Sequence, residues 1–328
     1  MTVAVQQVLA LNGPTASGKS TLAVDVALAL AARGRLAEVV NADSMLVYRG
    51  MDIGTAKPSV AERRGVRHHL VDILEVTETA TVAQFQARAR AAIADCRARG
   101  VLPIVVGGSA LYMRAILDHF DFPGTDADVR ARWEAELDLI GPEALHAVLA
   151  RRAPDTAAEI QPNNGRRTVR ALEVLDLTGG HRANLPAWTY ALEGVTSIGL
   201  DLDRATMDAR IVQRVDAMWA AGLVDEVRAL ERRGLRQGVT AAKAIGYRQV
   251  LQHLGGELTE DEARAAVVKA TKRFARRQLS WFRRDHRIDW RDAGEPGLAA
   301  ALADELTGRS PVASTRQPTR HTPGAVEA

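Results

Sequence analysis

Eight consecutive residues, Gly13-Pro14-Thr15-Ala16-Ser17-Gly18-Lys19-Ser20, put two glycines, a lysine and a hydroxyl at the spacing G-x-x-x-x-G-K-[ST]. In that pattern the backbone cradles phosphate oxygens. The glycines let the chain wrap an anion, and loop N–H groups at a helix N-terminus add the favourable end of the helix dipole. Lys19 reaches the outer phosphates, and the Ser20 hydroxyl is placed to ligate magnesium. An apolar run at residues 8–11 precedes the loop and a helical pattern at 21–30 follows it, which is the strand–loop–helix context the motif needs. The ligand expected here is a diphosphate or polyphosphate.

Two further sites have chemistry of their own. Asp43 lies just past a second strand-like run at residues 38–41. A carboxylate there can ligate magnesium, accept a proton, or cap the next turn, which is the ordinary role of an isolated Asp. Its place beside the phosphate loop favours the general base or the metal ligand. Gly107-Gly108-Ser109 repeats the loop architecture, with a strand, paired glycines and a hydroxyl at a helix start. Ser109 reads as an N-cap, and the helix N-terminus as a second anion site.

These residues need a scaffold that brings strand ends together. Strand-like runs at residues 8–11, 38–41, 69–73, 102–106 and 196–200 alternate with helical patterns at 19–32, 81–99 and 109–117. Such alternation predicts an α/β fold with a parallel, P-loop NTPase-like sheet. Ligands of open α/β sheets bind outside the carboxyl ends of the strands, so the first, second and fourth strand ends should meet at one site. Residues 1–120 form the first part of this core. Between 121 and 189 the strand signal disappears. Asp126 caps a helix through Val129, Trp133 and Leu137, and helical patterns follow at 142–150, 155–160 and 166–177. This is the pattern of a helical insertion. Residues 190–309 complete the core with helices from 204 to 287, and 310–328 read as a disordered tail.

An apolar content of 47% without a run of ~18 apolar residues excludes a spanning helix. With no export signal at the start and one cysteine, Cys96, which reads as packing, a cytoplasmic protein is expected. The net charge is only +3, but the basic residues are uneven. Lys269, Lys272, Arg273, Arg276, Arg283 and Arg287 recur at helical spacings with few acids near them. A solvated face is the ordinary reading of such a stripe. Uncompensated charge makes nucleic acid the leading partner. Arg166-Arg167-Thr168-Val169-Arg170 adds a second basic cluster on the insertion, and the two surfaces could grip a polynucleotide from both sides.

GPTASGKS, the run D-S-M-L-V-Y-R-G-M-D-I-G-T-A-K-P from Asp43 to Pro58, and V-V-G-G-S-A-L-Y resemble the tRNA dimethylallyltransferases, or isopentenyl-tRNA transferases, of bacterial type. Pro162-Asn163, R-A-L-E-V from Arg170, I-G-Y-R-Q from Ile245 and R-R-Q-L-S-W-F-R from Arg276 extend the resemblance over roughly residues 8–290. The resemblance implies transfer of the dimethylallyl group of dimethylallyl diphosphate to the N6 amine of the adenosine 3′ of the anticodon. Asp43 would be the general base, and Lys19 and Ser109 would act on the diphosphate. Gly13 through Ser20 and Arg277 would bind it, with Mg2+ at Ser20. Asp43, Ser44, Met45, Leu46, Ser109, Arg130, Arg166, Arg167, Thr168, Val169, Arg170 and Arg248 would face tRNA. A monomer is expected. Gln161-Pro162-Asn163-Asn164 departs from the family's H-P-N-D, which touches helix capping or one tRNA contact.

Two other classes fit the loop alone. A small-molecule kinase would use ATP on it, and a non-catalytic nucleic-acid binder would need no base at Asp43. The transferase needs an allylic diphosphate and no ATP hydrolysis, although its loop is compatible with ATP binding.

Overall fold

The structure is a computed structural model that describes residues 7–79, 81–120, 122–180 and 187–308. The chain opens with β1 (Val8–Asn12), α1 (Lys19–Ala31), β2 (Ala37–Asn41), α2 (Val60–Arg63), β3 (His68–His69), α3 (Val82–Ala98), β4 (Leu102–Gly107) and α4 (Ala110–Leu117). Four helices follow, α5 (Ala127–Ile140), α6 (Pro142–Arg152), α7 (Pro154–Ala158) and α8 (Gly165–Thr178). The chain continues through β5 (Val195–Asp201), α9 (Arg204–Ala220), α10 (Leu223–Arg232), α11 (Tyr247–Leu254), α12 (Glu260–Phe282), β6 (Asp289–Asp292) and α13 (Leu298–Thr307).

The strands form one parallel sheet in the order β3-β2-β4-β1-β5-β6. β1 is buried at every position, as expected of a central parallel strand with both faces covered. Leu9 and Leu11 pack with Leu30 of α1, Ile104, Ile198 and Leu302 of α13. Because β1 lies between β4 and β5, the loop after β1 and the Gly107-Gly108 pair after β4 emerge side by side at the carboxyl edge.

Two strand assignments change. The run at 69–73 pairs only through His68 and His69, because Leu70 and Asp72 take left-handed backbone (φ 60° and 57°). The chain there leaves the sheet edge and bonds beneath the loop after β2, with Ile73 N donating to Val47 O. β6 has the sequence Asp-Trp-Arg-Asp and no apolar run, and it pairs as an edge strand on β5.

The described residues divide into two compact units, one of those within 7–116 and 193–308 and one of those within 117–192. In the second unit α5 to α8 surround Leu145, Leu149, Ile160, Val169 and Leu172. Asp126 caps α5 by accepting from Asp128 N and Val129 N. Asn164 accepts from Arg167 N and caps α8. The expected tail at 310–328 lies outside the described residues. No helix among the described residues is long and apolar enough to cross a membrane.

Candidate active site

The phosphate loop is bent by three positive φ angles, at Gly13 (147°), Ala16 (64°) and Gly18 (91°). Ala16 is the unusual one, because a left-handed alanine costs about 1 kcal/mol or more and persists only where its surroundings hold it. Gly18 forms the N-cap of α1, and its carbonyl accepts from Leu22 N at 3.0 Å. Lys19 folds back into the loop. Its Nζ donates to Pro14 O at 2.6 Å and lies 3.4 Å from Ser17 Oγ.

A cleft of about 900 Å³, counting its open mouth, lies over the loop. Its lining includes Thr15, Lys19, Ser20 and Asp43, and also Gly107 and Gly108. Burial and the neighbouring Arg214 push the Lys19 ammonium down to about 7, opposed by Asp43. Enclosure by the cleft walls raises the Asp43 carboxyl above its ordinary value, opposed by the Met45 amide and Lys19. Each group therefore favours the charged form of the other, while burial opposes both.

Asp43 has the geometry of a turn cap and of a proton acceptor at once. Its Oδ1 accepts from Met45 N at 2.8 Å, the Asx-turn geometry of a capping residue. Oδ2 takes no hydrogen bond from the described residues, so that oxygen is available to accept a proton. Asn41 fixes the backbone beneath: its Oδ1 accepts from Asp43 N at 2.8 Å and its Nδ2 donates to Asp43 O at 2.9 Å.

Two residues without a signal in the sequence complete the cleft. Arg214 of α9 donates to Thr15 Oγ1 at 3.2 Å and adds a second, partly buried cation. Gln278 of α12 is buried, and its Oε1 accepts from Thr15 N at 2.9 Å. A Cβ on Gly108 would stand 2.5 Å from Gln278 Nε2, so the close approach of that side chain requires glycine. His68, Thr55, Ala56 and Pro58 also line the cleft.

The other expected residues are distributed as follows. Leu46 lines the cleft, whereas Ser44 and Met45 sit in the turn behind it. Ser109 stands one residue past the lining glycines, with its carbonyl accepting from Met113 N at the start of α4. Arg277 was expected at the diphosphate, but one residue along the helix from Gln278 turns its side chain away from the loop. It lines a separate cavity of about 940 Å³, again counting the open mouth, with Arg248, Lys243, Lys269 and Arg273, and no carboxylate is among the lining residues. In the second unit Arg130 and Arg170 both bind the buried Glu173 carboxylate, at 2.7 and 2.9 Å. Thr168 and Val169 are buried, so of that cluster only Arg166 and Arg167 stay exposed.

The basic stripe is also shorter and more compensated than its sequence suggests. α12 ends at Phe282, and beyond it Arg287 closes on Asp285. Lys272 pairs with Asp208 of α9 and Arg283 with Asp201 of β5. These acids come from packed elements distant in sequence.

Oxygen donors suit magnesium. The exposed Ser20 hydroxyl and the Asp43 carboxylate both reach the cleft, so the residues fit the ion expected there. Among the described residues one group of metal-type ligands forms elsewhere, Glu38, His69 and Cys96. It is satisfied by Arg99, which donates twice to Glu38, at 2.8 and 2.7 Å. Arg99 holds the Glu38 carboxyl at about 2, and burial pushes the Cys96 thiol up to about 12. This is an ion-pair cluster with an inert thiol.

Comparison with known proteins gives the family of the chain and its fold. The family profile described as IPP transferase matches residues 46–285. A tRNA dimethylallyltransferase of Kineococcus radiotolerans is 58% identical over 308 residues, covering 93% of this chain and 97% of its own. That of Thermobifida fusca is 58% identical over 292 residues, 89% of this chain and 91% of its own. A crystal structure of a tRNA isopentenylpyrophosphate transferase from Bacillus halodurans superposes with a TM-score of 0.68 at 37% identity, covering 93% of this chain and 96% of that one. A eukaryotic dimethylallyltransferase acting on tRNA shares the fold, at TM-score 0.76 and 24% identity, covering 94% of this chain and 81% of that one.

Proposed function

The chain belongs to the IPP transferase family, and from that premise we propose that it transfers the dimethylallyl group of dimethylallyl diphosphate to the N6 amine of the adenosine 3′ of the anticodon. The tRNAs concerned read codons beginning with U. The observation that carries this reading is the shared cleft of Lys19 and Asp43, an anion cradle facing a carboxylate with a free oxygen.

The adenine N6 attacks the primary carbon of the dimethylallyl group. The carbon–oxygen bond to the diphosphate breaks, and its electron pair leaves with the diphosphate. Lys19, Arg214 and the backbone N–H groups that open α1 neutralise that leaving group as its charge develops. Asp43 Oδ2 takes the proton lost from the amine; N6 is a poor nucleophile, and such a base contributes typically 10²–10⁴-fold. Ser20 would hold magnesium, which would supply further charge neutralisation. The base must leave its stack to enter the cleft, which an anticodon loop allows at low cost.

The cavity lined by Lys243, Arg248, Lys269, Arg273 and Arg277 supports an RNA backbone as partner, because five cations without a carboxylate suit phosphates. Action as a monomer in the cytoplasm belongs to the same reading. ATP is a competitor for the loop, with no part in turnover. The test is diphosphate release from dimethylallyl diphosphate, with and without tRNA. Release that requires tRNA and is indifferent to ATP supports transfer. ATP consumption with a small acceptor would turn the assignment to a kinase.

A further inference from the structure

The carboxylate of Glu226, on α10, sits in a cradle of backbone amides. Its Oε2 accepts from Asp52 N at 3.0 Å and Ile53 N at 2.7 Å. Its Oε1 accepts from Gly54 N at 3.2 Å and from the Tyr247 hydroxyl at 2.5 Å. Successive N–H groups converging on one anion form a nest, and hydrogen bonds to a charged acceptor are about twice as strong as neutral ones.

The fit is tight on the tyrosine side. Tyr247 is fully buried, and a Cβ on Gly54 would lie 2.5 Å from its ring. A second anchor follows three residues later. Lys57 Nζ, in a side chain 3% exposed, donates to Tyr48 O, Asp52 Oδ1 and Asp72 Oδ1 at 2.7, 2.6 and 2.5 Å. Between the anchors stand Thr55 and Ala56, which with Pro58 line the cleft that holds Lys19 and Asp43. Ala56 has φ 51°, a conformation alanine keeps only when its neighbours hold it. The wall of the cleft is therefore imposed from outside its own segment.

We propose that Glu226 is a positioning residue for the transfer: with Tyr247 it fixes the wall formed by Thr55, Ala56 and Pro58, so that the dimethylallyl diphosphate is held in register with Asp43. This rests on the prenyl-transfer reading above. Tyr247 opens α11 and is followed directly by Arg248 of the cationic cavity, so the same hydroxyl ties the wall to the helix that presents that cation.

The experiment measures kcat, KM for dimethylallyl diphosphate, tRNA affinity, Tm and amide hydrogen exchange in Glu226→Gln, Tyr247→Phe and the double variant. Glutamine keeps the shape but is neutral and turns one acceptor oxygen into a donor, so the nest loses its anion. Glu226→Gln should raise the donor KM about tenfold and lower kcat as well, at unchanged tRNA affinity, since the donor is then both held less tightly and out of register with Asp43. Tyr247→Phe should have a smaller effect, and the double variant should be no worse than Glu226→Gln alone, since both act through one carboxylate. Exchange at residues 52–54 should accelerate while that of β1 stays as in the wild type.

An unchanged KM in folded Glu226→Gln, or additive losses in the double variant, would overturn the proposal. If Glu226→Gln does not fold, Tyr247→Phe decides: a raised KM at wild-type Tm supports positioning, and an unchanged KM refutes it. A wild-type protein without transfer activity would instead refute the reaction, and the exchange measurement would still test the anchor.

Discussion

Gln278 Oε1 accepts a hydrogen bond from Thr15 N at 2.9 Å, joining residues 263 apart in sequence. The same side chain lies against Gly108, so one amide braces both glycine turns of the cleft. A neutral acceptor is tolerated there, whereas an anion would compete with the substrate. Gln278→Glu should weaken diphosphate binding about tenfold, or 1.4 kcal/mol, by like-charge repulsion at close range. Isothermal titration with inorganic pyrophosphate measures it, and undiminished affinity would show that Gln278 lies outside the field of the bound anion.

Asp43→Asn keeps the turn, because the amide oxygen can still accept from Met45 N. It removes the proton acceptor. Single-turnover rates with bound tRNA should fall by roughly 10²–10⁴ while tRNA affinity holds. The carboxyl is raised by burial, so the wild-type rate should fall on the acid side at a pH above the ordinary Asp value of about 3.9. A rate unchanged in the bound complex would remove Asp43 from the chemistry.

Lys19 at about 7 gives a proton-linkage prediction. Above pH 7 the free protein holds Lys19 largely neutral, and a bound diphosphate restores its charge. Binding at pH 8 should therefore take up a proton, and affinity should weaken as pH rises through 7. Lys19→Arg, charged at every pH, should show no uptake at this site. Calorimetry in buffers of different ionisation enthalpy separates the two cases.

Cation position, more than count, should govern RNA binding. Charge reversal at Lys269 or Arg273, in the cavity without carboxylates, should weaken tRNA binding and reduce the salt slope by about 1 for each phosphate that is no longer neutralised. Reversal at Arg283, paired with Asp201, should change the slope less. Slopes unchanged from the wild type at both sites would assign the whole stripe to a solvated face.

Glu173 is fully buried between Arg130 and Arg170, and its Oε1 accepts from Asp126 N, the residue that caps α5. Glu173→Ala removes the shared acceptor of two half-exposed arginines and of the Asp126 amide and should cost about 1–3 kcal/mol, seen as a lower Tm. A change under about 1 kcal/mol would mean that water satisfies both arginines.

The parts of the site legible in the sequence are those built from consecutive residues. The phosphate loop, the strand before it and α1 follow from one octapeptide and its flanking periodicity. Asp43 and the Gly107-Gly108 pair follow from their places at strand ends. Arg214 and Gln278 were not legible as cleft residues, because each lies on an amphipathic helix where nothing local separates a cleft-facing polar group from a solvated one. The error over the basic stripe has the same origin: Asp201 and Asp208 neutralise it from other elements, and pairing across elements leaves no trace in spacing. β6 escaped because its residues are polar and it is an edge strand, and the run at 69–73 misled because its apolar residues pack under a loop.

The most direct test incubates the protein with dimethylallyl diphosphate, magnesium and unmodified tRNA bearing adenosine 3′ of the anticodon, then analyses the nucleosides by mass spectrometry. The account predicts that this adenosine gains one dimethylallyl group in the wild type and that Asp43→Asn forms the product far more slowly. Unmodified adenosine in the wild-type reaction, or equal rates in the two proteins, would contradict it.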